Sequence, residues 1–159
     1  MPFAPSTMTL TSAAFDNGGA IPKRHTQEAD DISPALSWRN PPDGTKAFAI
    51  VCHDPDAPLV SANGTYGYVH WVLYNIPASV SELAEGSDKH TAGTNDTGTQ
   101  AYSGPMPPEG HGVHHYYFWV LALDSDKTFD AGLTLWDFLA QAEPHILGMN
   151  RLLGTYERR

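Results

Sequence analysis

The chain of 159 residues is poor in cysteine and in positive charge. Cys52 is its single cysteine, so no disulfide can form within the chain. Nine basic residues stand against 18 acidic residues and give a formal charge of −9. A chain this acidic has no general positive field to attract nucleic acid or an anionic membrane. Any anion that binds must therefore be held by a local site.

Long hydrophobic runs and internal repeats are also missing. No segment approaches the length of a membrane-spanning helix, and the opening MPFAPSTMTL lacks the basic and apolar regions of a secretory signal. The composition, 41% hydrophobic and 17% charged, is that of a globular protein. We therefore expect a single domain over residues 1–159, located in the cytoplasm and without stable membrane insertion.

Thirteen prolines and fourteen glycines argue against a helical bundle and favour short strands joined by turns. Three apolar runs have strand length: KAFAIVCHD (46–54), YVHWVLYNI (68–76) and VHHYYFWVLALD (113–124). Because two of these strands are apolar throughout, both faces of their sheet should be covered. The pattern predicts a mainly β fold with two antiparallel sheets and a late helix.

Weaker signals mark the remaining elements. MTLTSAAF (8–15) predicts a strand that ends at a turn, and ISPALSW (32–38) predicts a short edge strand because Pro34 bars a central one. A helical period appears at 134–143, where Thr134 is the expected N-cap. Its apolar face is formed by Leu135, Phe138, Leu139 and Ala142. After Pro144 we expect a helical turn at 145–149 and a final strand at 151–157.

Aspartate, histidine and tyrosine residues lie at or near the ends of these strands. The segment HDPDAP (53–58) follows an apolar run directly, and its prolines end the strand. His70 interrupts the second run, and His114 opens the third. Alternation sends His114 and Tyr116 to one face and their neighbours at 115 and 117 to the other. One histidine and one tyrosine can thus point into the same space.

Each feature also has an ordinary structural explanation. A lone strand histidine is often a hydrogen-bonded core residue, a strand tyrosine often only packs, and an Asp-Pro turn often only ends a strand. The residues alone leave a pocket and an ordinary β domain both open.

A resemblance to a known family favours the pocket. DISPALSW, HDPDAP, HWVLYNIP, GPMPPEGHGVHHYYFWVLALD and HILGMNRLLGTYER, in this order, resemble the phosphatidylethanolamine-binding protein family. They are most similar to its bacterial and archaeal branch, often called Raf-kinase-inhibitor-like. The resemblance implies the family's two-sheet antiparallel β fold, with one or two short helices and the main one near the C-terminus. It also implies a small pocket for anions such as phosphate, phosphoryl headgroups, acetate or cacodylate.

The resemblance further implies a set of ligand-binding residues drawn from four segments. They are Asp54, Asp56, Pro58, His70, Pro108, His114 and Tyr116. No catalytic residue, metal or cofactor is implied.

Several features depart from the family pattern. Tyr68 stands where tryptophan is usual, and Glu109 stands where lysine is common, which weakens any accessory attraction for phosphate. The chain also ends near GTYERR, without the C-terminal helix that flanks the pocket in animal members. Their lipid and kinase partners are therefore not carried over directly.

Carboxylates beside an anion need a compensating charge. We hypothesise that Asp54 and Asp56 orient and charge His70 and His114, whose rings then donate to the ligand, with Tyr116 as a further donor. With so few hydrogen bonds, affinity for free phosphate should be on the order of millimolar.

The function best supported by the sequence is a small-anion or phosphoryl-group binding protein with a regulatory, kinase-inhibitor-like or signalling role. Its partner would be a small phosphorylated ligand, a protein kinase or a phosphoprotein, and the similar bacterial proteins suggest a homodimer. The alternative is a hydrolase that uses the His/Asp pocket on a small phosphoester or acyl substrate. Against it, Cys52 and His53 point to opposite faces, and no Gly-x-Ser-x-Gly elbow is present.

A metal site is the third alternative, because seven side chains could act as ligands. They are His53, Asp54, Asp56, His70, His111, His114 and His115. The sequence contains no HExxH, CxxC or other dense metal-binding spacing, so this alternative ranks last.

Overall fold

The structure is a computed structural model that describes residues 6–57 and 67–159. In these residues the chain forms nine β-strands, one α-helix and two short 3-10 helices. The strands are β1 (Thr9–Thr11), β2 (Gly19–Ala20), β3 (Leu36–Arg39), β4 (Ala47–Asp54), β5 (Tyr68–Pro77), β6 (Glu82–Leu83), β7 (Thr91–Ala92), β8 (His114–Leu123) and β9 (Ile146–Tyr156). The helix α1 spans Leu135–Ala142, and the 3-10 helices span Lys23–His25 and Glu143–His145.

The strands form two sheets, as the sequence predicts. The larger sheet has the order β2-β9-β8-β4-β5-β7, and the smaller has the order β1-β3-β6. One pair departs from the expected antiparallel arrangement, because β2 lies parallel to β9. Parallel neighbours need a long connection, and nearly the whole chain separates these two strands.

Two predictions from local signals are wrong. The strand β3 lies between β1 and β6 rather than at an edge. Pro34 precedes β3, so its missing N–H does not interrupt the ladder. The expected helical turn at 145–149 does not form, because the 3-10 helix ends at His145 and residues 146–149 begin β9, an eleven-residue strand that pairs along the full length of β8. Pairing with so long a neighbour outweighs the local preference of a short segment.

Both faces of the larger sheet are covered, as its apolar strands predict. Ile50 and Cys52 belong to one buried cluster, which includes Leu10 and Trp38 of the smaller sheet. Alternate residues of β4, such as Val51, belong to a second cluster with α1. The burial pattern of β8 alternates in the same way over its first six residues. The larger sheet is therefore the middle layer of the fold.

The helix α1 begins where the sequence predicts. The side chain of Thr134 accepts a hydrogen bond from the backbone N–H of Asp137 at 3.2 Å, which makes it the N-cap. Leu135, Phe138 and Ala142 are buried against the larger sheet. No helix in the described residues is long and apolar enough to cross a membrane.

Candidate functional site

One end of the larger sheet collects the polar strand residues. Because β4 is antiparallel to β5 and β8, the end of β4 meets the starts of the other two, with Asp54 beside Tyr68 and His53 beside Tyr117. A cavity of about 310 Å³ opens at this end. It is lined by five of the predicted residues: Asp54, His70, Pro108, His114 and Tyr116.

Another predicted residue, Asp56, is not among the described lining residues. Its Oδ2 atom accepts hydrogen bonds from the backbone N–H of His115 at 2.8 Å and from the ring Nδ1 of His115 at 2.6 Å. Asp56 therefore orients His115 rather than His70 or His114. Burial raises the pKa of Asp56, but the hydrogen bonds from His115 outweigh it and leave the pKa below its ordinary value. Pro58 lies outside the described residues.

A buried pair joins Asp54 to His114. The Nδ1 atom of His114 donates to the Oδ2 atom of Asp54 at 2.7 Å, and both residues are only 2% exposed. The second carboxylate oxygen of Asp54 accepts the backbone N–H of Asp56 at 2.8 Å. Since Nδ1 carries a proton, the Asp54 carboxylate can balance the charge of His114 whenever its ring carries both protons.

The other ring nitrogen of His114 contacts a residue that sequence reasoning did not assign to the pocket. Its Nε2 atom lies 2.7 Å from the Nδ1 atom of His111. Two ring nitrogens at this distance must share one proton, so one ring donates and the other accepts. Asp54, His114 and His111 thus form a hydrogen-bonded chain. From the sequence, His111 is considered only as a possible metal ligand, because nothing in the segment GHGVHH indicates that its ring contacts His114.

His70 reaches the cavity because β5 contains a bulge. Cys52 pairs with Trp71 and His53 pairs with Val69, so His70 is the extra residue between them. The bulge turns His70 to the side of Tyr116, and their ring centroids are 5.2 Å apart. Simple alternation along YVHWVLYNI cannot reveal this reorientation.

Ser103 anchors His70 in two ways. The Nδ1 atom of the ring donates to the Ser103 carbonyl oxygen at 2.6 Å, and the Ser103 N–H donates to the His70 carbonyl at 3.0 Å. The expectation of a charged His70 is wrong. Burial lowers the pKa of His70, and the Ser103 carbonyl and the Asp54 carboxylate only partly oppose this effect. The ring is therefore mainly neutral near pH 7.

Tyr116 forms the floor of the cavity as a neutral phenol. Burial, followed by the negative charge of Asp54, raises the pKa of Tyr116 above its ordinary value. Its hydroxyl group keeps its proton in the physiological range and can donate a hydrogen bond. Tyr68, which stands in the usual tryptophan position, also lines the cavity and keeps an aromatic wall, with its ring centroid 4.8 Å from that of His70.

The proline-rich loop GPMPPEGHG (104–112) forms part of the cavity wall and is held in place by Arg158. The guanidinium group donates to the Pro107 carbonyl at 3.2 Å and to the Glu109 carboxylate at 3.1 Å. The Arg158 carbonyl accepts the N–H of Gly110 at 3.0 Å. Glu109 is thus paired with Arg158 and is not among the lining residues. From the sequence, Glu109 is interpreted only as the replacement of a lysine that would attract phosphate, and its pairing with Arg158 is not predicted.

A glycine permits the start of this loop to lie close to the N-terminal segment. A Cβ atom at Gly104 would lie 2.2 Å from the His25 carbonyl oxygen, so no larger residue fits. The N–H of Gly104 donates to the Asp31 carboxylate at 2.7 Å. Gln27 bonds to the Gly104 carbonyl at 2.9 Å and also lines the cavity.

The chemistry of the cavity is that of a polar site without a fixed cation. The other lining residues, besides Gln27 and Tyr68, are Ala57, Met106 and Pro107, so the described lining contains no lysine or arginine. Within residues 6–57 and 67–159, no three His, Cys, Asp or Glu side chains are grouped to hold a metal ion. Among the described lining residues, only the histidines could carry a positive charge.

A second concavity lies on the opposite face of the larger sheet, beside α1. It measures about 300 Å³, and its lining includes Val51, Trp119, Leu135 and the half-exposed Trp136. His53 is the one ionisable side chain in its described lining. This cleft lacks the convergent donors that an oxyanion requires.

Comparison with known proteins identifies the family and agrees with the fold. A family model described as phosphatidylethanolamine-binding protein matches residues 11–157. A protein of Methanothermobacter thermautotrophicus named UPF0098 is 39% identical over 95% of this chain and 99% of its own length. A UPF0098 protein of Aquifex aeolicus is also 39% identical, over 95% and 89%.

Solved structures of similar proteins have the same fold. A phosphatidylethanolamine-binding protein homologue from Chlamydia trachomatis is 37% identical, with a TM-score of 0.87 over 96% of this chain and 98% of its own. The E. coli protein YbcL, described as a new member of the mammalian family, is 28% identical, with a TM-score of 0.88 over 97% and 100%. A carboxypeptidase Y inhibitor, 14% identical with a TM-score of 0.57, shares the fold. The chain belongs to the phosphatidylethanolamine-binding protein family.

Proposed function

We propose that this protein binds a small oxyanion, inorganic phosphate or a phosphoryl group, in the cavity lined by Asp54, His70, His114 and Tyr116. The observation that carries the proposal is the buried Asp54–His114 pair, which lies in the wall of a cavity open to a ligand. A ring N–H of a histidine that is hydrogen-bonded to a carboxylate can donate to an anion, in a lining whose described residues include no lysine or arginine.

The size of the cavity supports a small ligand. Its volume of about 310 Å³ lies at the lower end of the roughly 300–1,000 Å³ of small-molecule pockets. An oxyanion with a short organic substituent fits such a space. Each charge-assisted hydrogen bond contributes about 1.5–3 kcal/mol, and the His111–His114 contact must be broken first. We therefore retain an expected affinity on the order of millimolar for free phosphate.

In the cell, the phosphoryl group would come from a small molecule or from a phosphorylated side chain of a partner protein. Binding to a phosphorylated partner would make the protein a regulator of signalling, with a kinase or its substrate as the partner. Family membership supports ligand binding in this cavity. Identification of a phosphorylated partner would test the regulatory role.

Isothermal titration calorimetry with inorganic phosphate tests the binding proposal. The variant His114→Asn should bind phosphate at least about tenfold more weakly than the unmodified protein, because it loses the imidazole donor. Tyr116→Phe should weaken binding by a smaller factor and keeps the ring that packs in the core. Absence of saturable binding in the unmodified protein would overturn the proposal.

A matched control lies at the far end of the same strand. The Nδ1 atom of His145 bonds to the Asp124 carboxylate at 2.9 Å, in an exposed copy of the same type of pair. Asp124 follows the last residue of β8, about 30 Å from His114 along the strand. His145→Asn should leave phosphate affinity unchanged. Equal losses in both variants would contradict a site at His114.

The hydrolase alternative has one observation in its favour. The Asp54–His114 pair has the geometry of an imidazole oriented by a carboxylate, as a general base requires. No serine, threonine or cysteine is among the described lining residues. Cys52 lies in the core, where burial raises the pKa of its thiol and suppresses the thiolate. Turnover of p-nitrophenyl phosphate or acetate that is lost in His114→Asn would establish this alternative instead.

A further inference from the structure

The hydrogen bond between His70 and Ser103 fixes which ring nitrogen carries the proton. The Nδ1 atom lies 2.6 Å from the Ser103 carbonyl oxygen, and the residue is 5% exposed. A carbonyl oxygen can only accept, so Nδ1 must be the donor. The opposite bond, from the Ser103 N–H to the His70 carbonyl, keeps the two segments in register. The ring cannot exchange its tautomer without losing a buried hydrogen bond.

With one proton at Nδ1, the remaining nitrogen of the ring is an acceptor. Burial favours the neutral ring by lowering the pKa of His70, and His53 acts in the same direction. The Ser103 carbonyl and the carboxylates of Asp54 and Asp96 oppose this effect but do not reverse it. The Nε2 atom therefore presents a lone pair, not an N–H group, to a ligand in the cavity that His70 lines.

A fully ionised oxyanion suits such a wall poorly. Its oxygens can only accept hydrogen bonds, and against Nε2 of His70 two acceptors would face each other. The buried Asp54 carboxylate adds a negative charge, and the described lining has no lysine or arginine to offset a second charge on the ligand. An oxyanion that keeps a hydroxyl group avoids the first penalty, because its O–H can donate to Nε2, and its singly ionised form avoids the second penalty as well.

Resting on the proposed function, we propose that His70 is a specificity-determining residue that selects oxyanions retaining a proton. The ligand O–H donates to Nε2 of His70, while an ionised oxygen accepts from His114 and from the Tyr116 hydroxyl. Inorganic phosphate keeps at least one P–OH group throughout the neutral range. Sulfate, which has nearly the same size and shape, keeps none. The ligand class is therefore hydrogen phosphates and singly ionised phosphomonoesters, not sulfates or sulfate esters.

A comparison of phosphate with sulfate tests this selectivity. Each ion is titrated into the unmodified protein by calorimetry at pH 6.5, with ionic strength held constant by sodium chloride. Sulfate should bind at least about tenfold more weakly than phosphate, since one hydrogen bond is replaced by a contact between two acceptors. If sulfate binds as tightly as phosphate, the selectivity is wrong while the proposed function stands. If neither ion binds, the proposed function fails and the selectivity fails with it.

The variant His70→Gln assigns the selectivity to this ring. A glutamine amide can turn its NH₂ group toward the ligand, so it offers a donor where His70 offers an acceptor. The ratio of phosphate to sulfate affinity should fall toward one in His70→Gln and should stay unchanged in His145→Gln. An unchanged ratio in a folded His70→Gln variant would overturn the assignment. If that variant does not fold, the comparison in the unmodified protein decides alone.

Discussion

The ring of His114 donates through Nδ1 to the carboxylate of Asp54 at 2.7 Å, although 60 residues separate the two in sequence. The contact exists because the end of β4 lies beside the start of β8 in the larger sheet. Both side chains are almost fully buried, at 2% and 3% exposure. A buried ionisable pair is costly to break on one side, because the partner is left without compensation.

The variant Asp54→Asn should therefore weaken both binding and stability. The amide oxygen can still accept from Nδ1 of His114, but it no longer balances a second proton on the ring. We expect a loss of phosphate affinity of at least about tenfold and a decrease in the free energy of unfolding of about 1–3 kcal/mol. Calorimetry and urea denaturation measure the two effects. The exposed equivalent, Asp124→Asn, should change the free energy of unfolding by less than about 0.5 kcal/mol, and equal effects would contradict the importance of burial.

His70 should make the stability depend on pH. Its pKa in the folded protein lies below the ordinary value of 6.5, mainly because of burial. At pH values between the folded pKa and 6.5, the His70 ring binds more protons in the unfolded chain than in the folded one, so the free energy of unfolding rises with pH. This contribution is fully present above 6.5 and is lost as the pH falls through the folded pKa.

Urea denaturation at pH 5, 6 and 7 measures this dependence. In His70→Gln, which cannot take up the proton, the decrease in stability from pH 7 to pH 5 should be smaller than in the unmodified protein. His90 also has a pKa lowered by burial, so His90→Gln shows how much of the slope comes from another histidine. Equal slopes in the unmodified protein and His70→Gln would show that His70 is not held neutral.

His111 should compete with the ligand for His114. Its Nδ1 atom lies 2.7 Å from the Nε2 atom of His114, which is the nitrogen that an oxyanion would contact. Removing the competing ring in His111→Ala should strengthen phosphate binding about two- to tenfold, the value of one hydrogen bond. Calorimetry gives the ratio. His115→Ala removes an imidazole from the opposite face of β8 and should leave affinity unchanged, whereas weaker binding in His111→Ala would make His111 a ligand contact instead.

Arg158 should control the order of the proline-rich loop. Its guanidinium group bonds to the Pro107 carbonyl and the Glu109 carboxylate, and its own carbonyl accepts the Gly110 N–H. In Arg158→Ala the Gly110 amide should exchange its hydrogen about tenfold faster, and phosphate should bind a few-fold more weakly. Arg158→Lys should rescue little, because lysine lacks the planar fork that reaches two acceptors. Arg24→Ala, which removes the exposed pair with Glu85, is the control and should change neither quantity.

The alternation of β8 was enough to predict that His114 and Tyr116 share a face, because a side-chain period of two needs no knowledge of the partner strands. The position of His70 was not predictable in the same way. The bulge that turns it inward depends on the register between β4 and β5, which no single segment encodes. The sequence assigns the wrong histidine partner to Asp56 and does not predict the contact of His111 with His114, for a related reason. Their partners are set by how two loops meet around β8, and loop geometry leaves little trace in a short sequence window.

The same distinction holds for the fold. The apolar strands and the capped helix were predicted because burial and capping leave periodic or positional signals. The full extent of β9, the parallel pairing of β2 and the central position of β3 came from tertiary pairing, which overrides weak local preferences.

The central claim is that an oxyanion enters the cavity and bonds to the histidine rings at its wall. Nuclear magnetic resonance of the ¹⁵N-labelled imidazole rings, recorded at pH 6.5 during a phosphate titration, tests it most directly. We predict saturable shifts of His70, His111 and His114 that share one dissociation constant on the order of millimolar, with His145 unmoved. If the rings of His70, His111 and His114 stay still up to tens of millimolar phosphate, or if His145 shifts as much as they do, the claim is wrong.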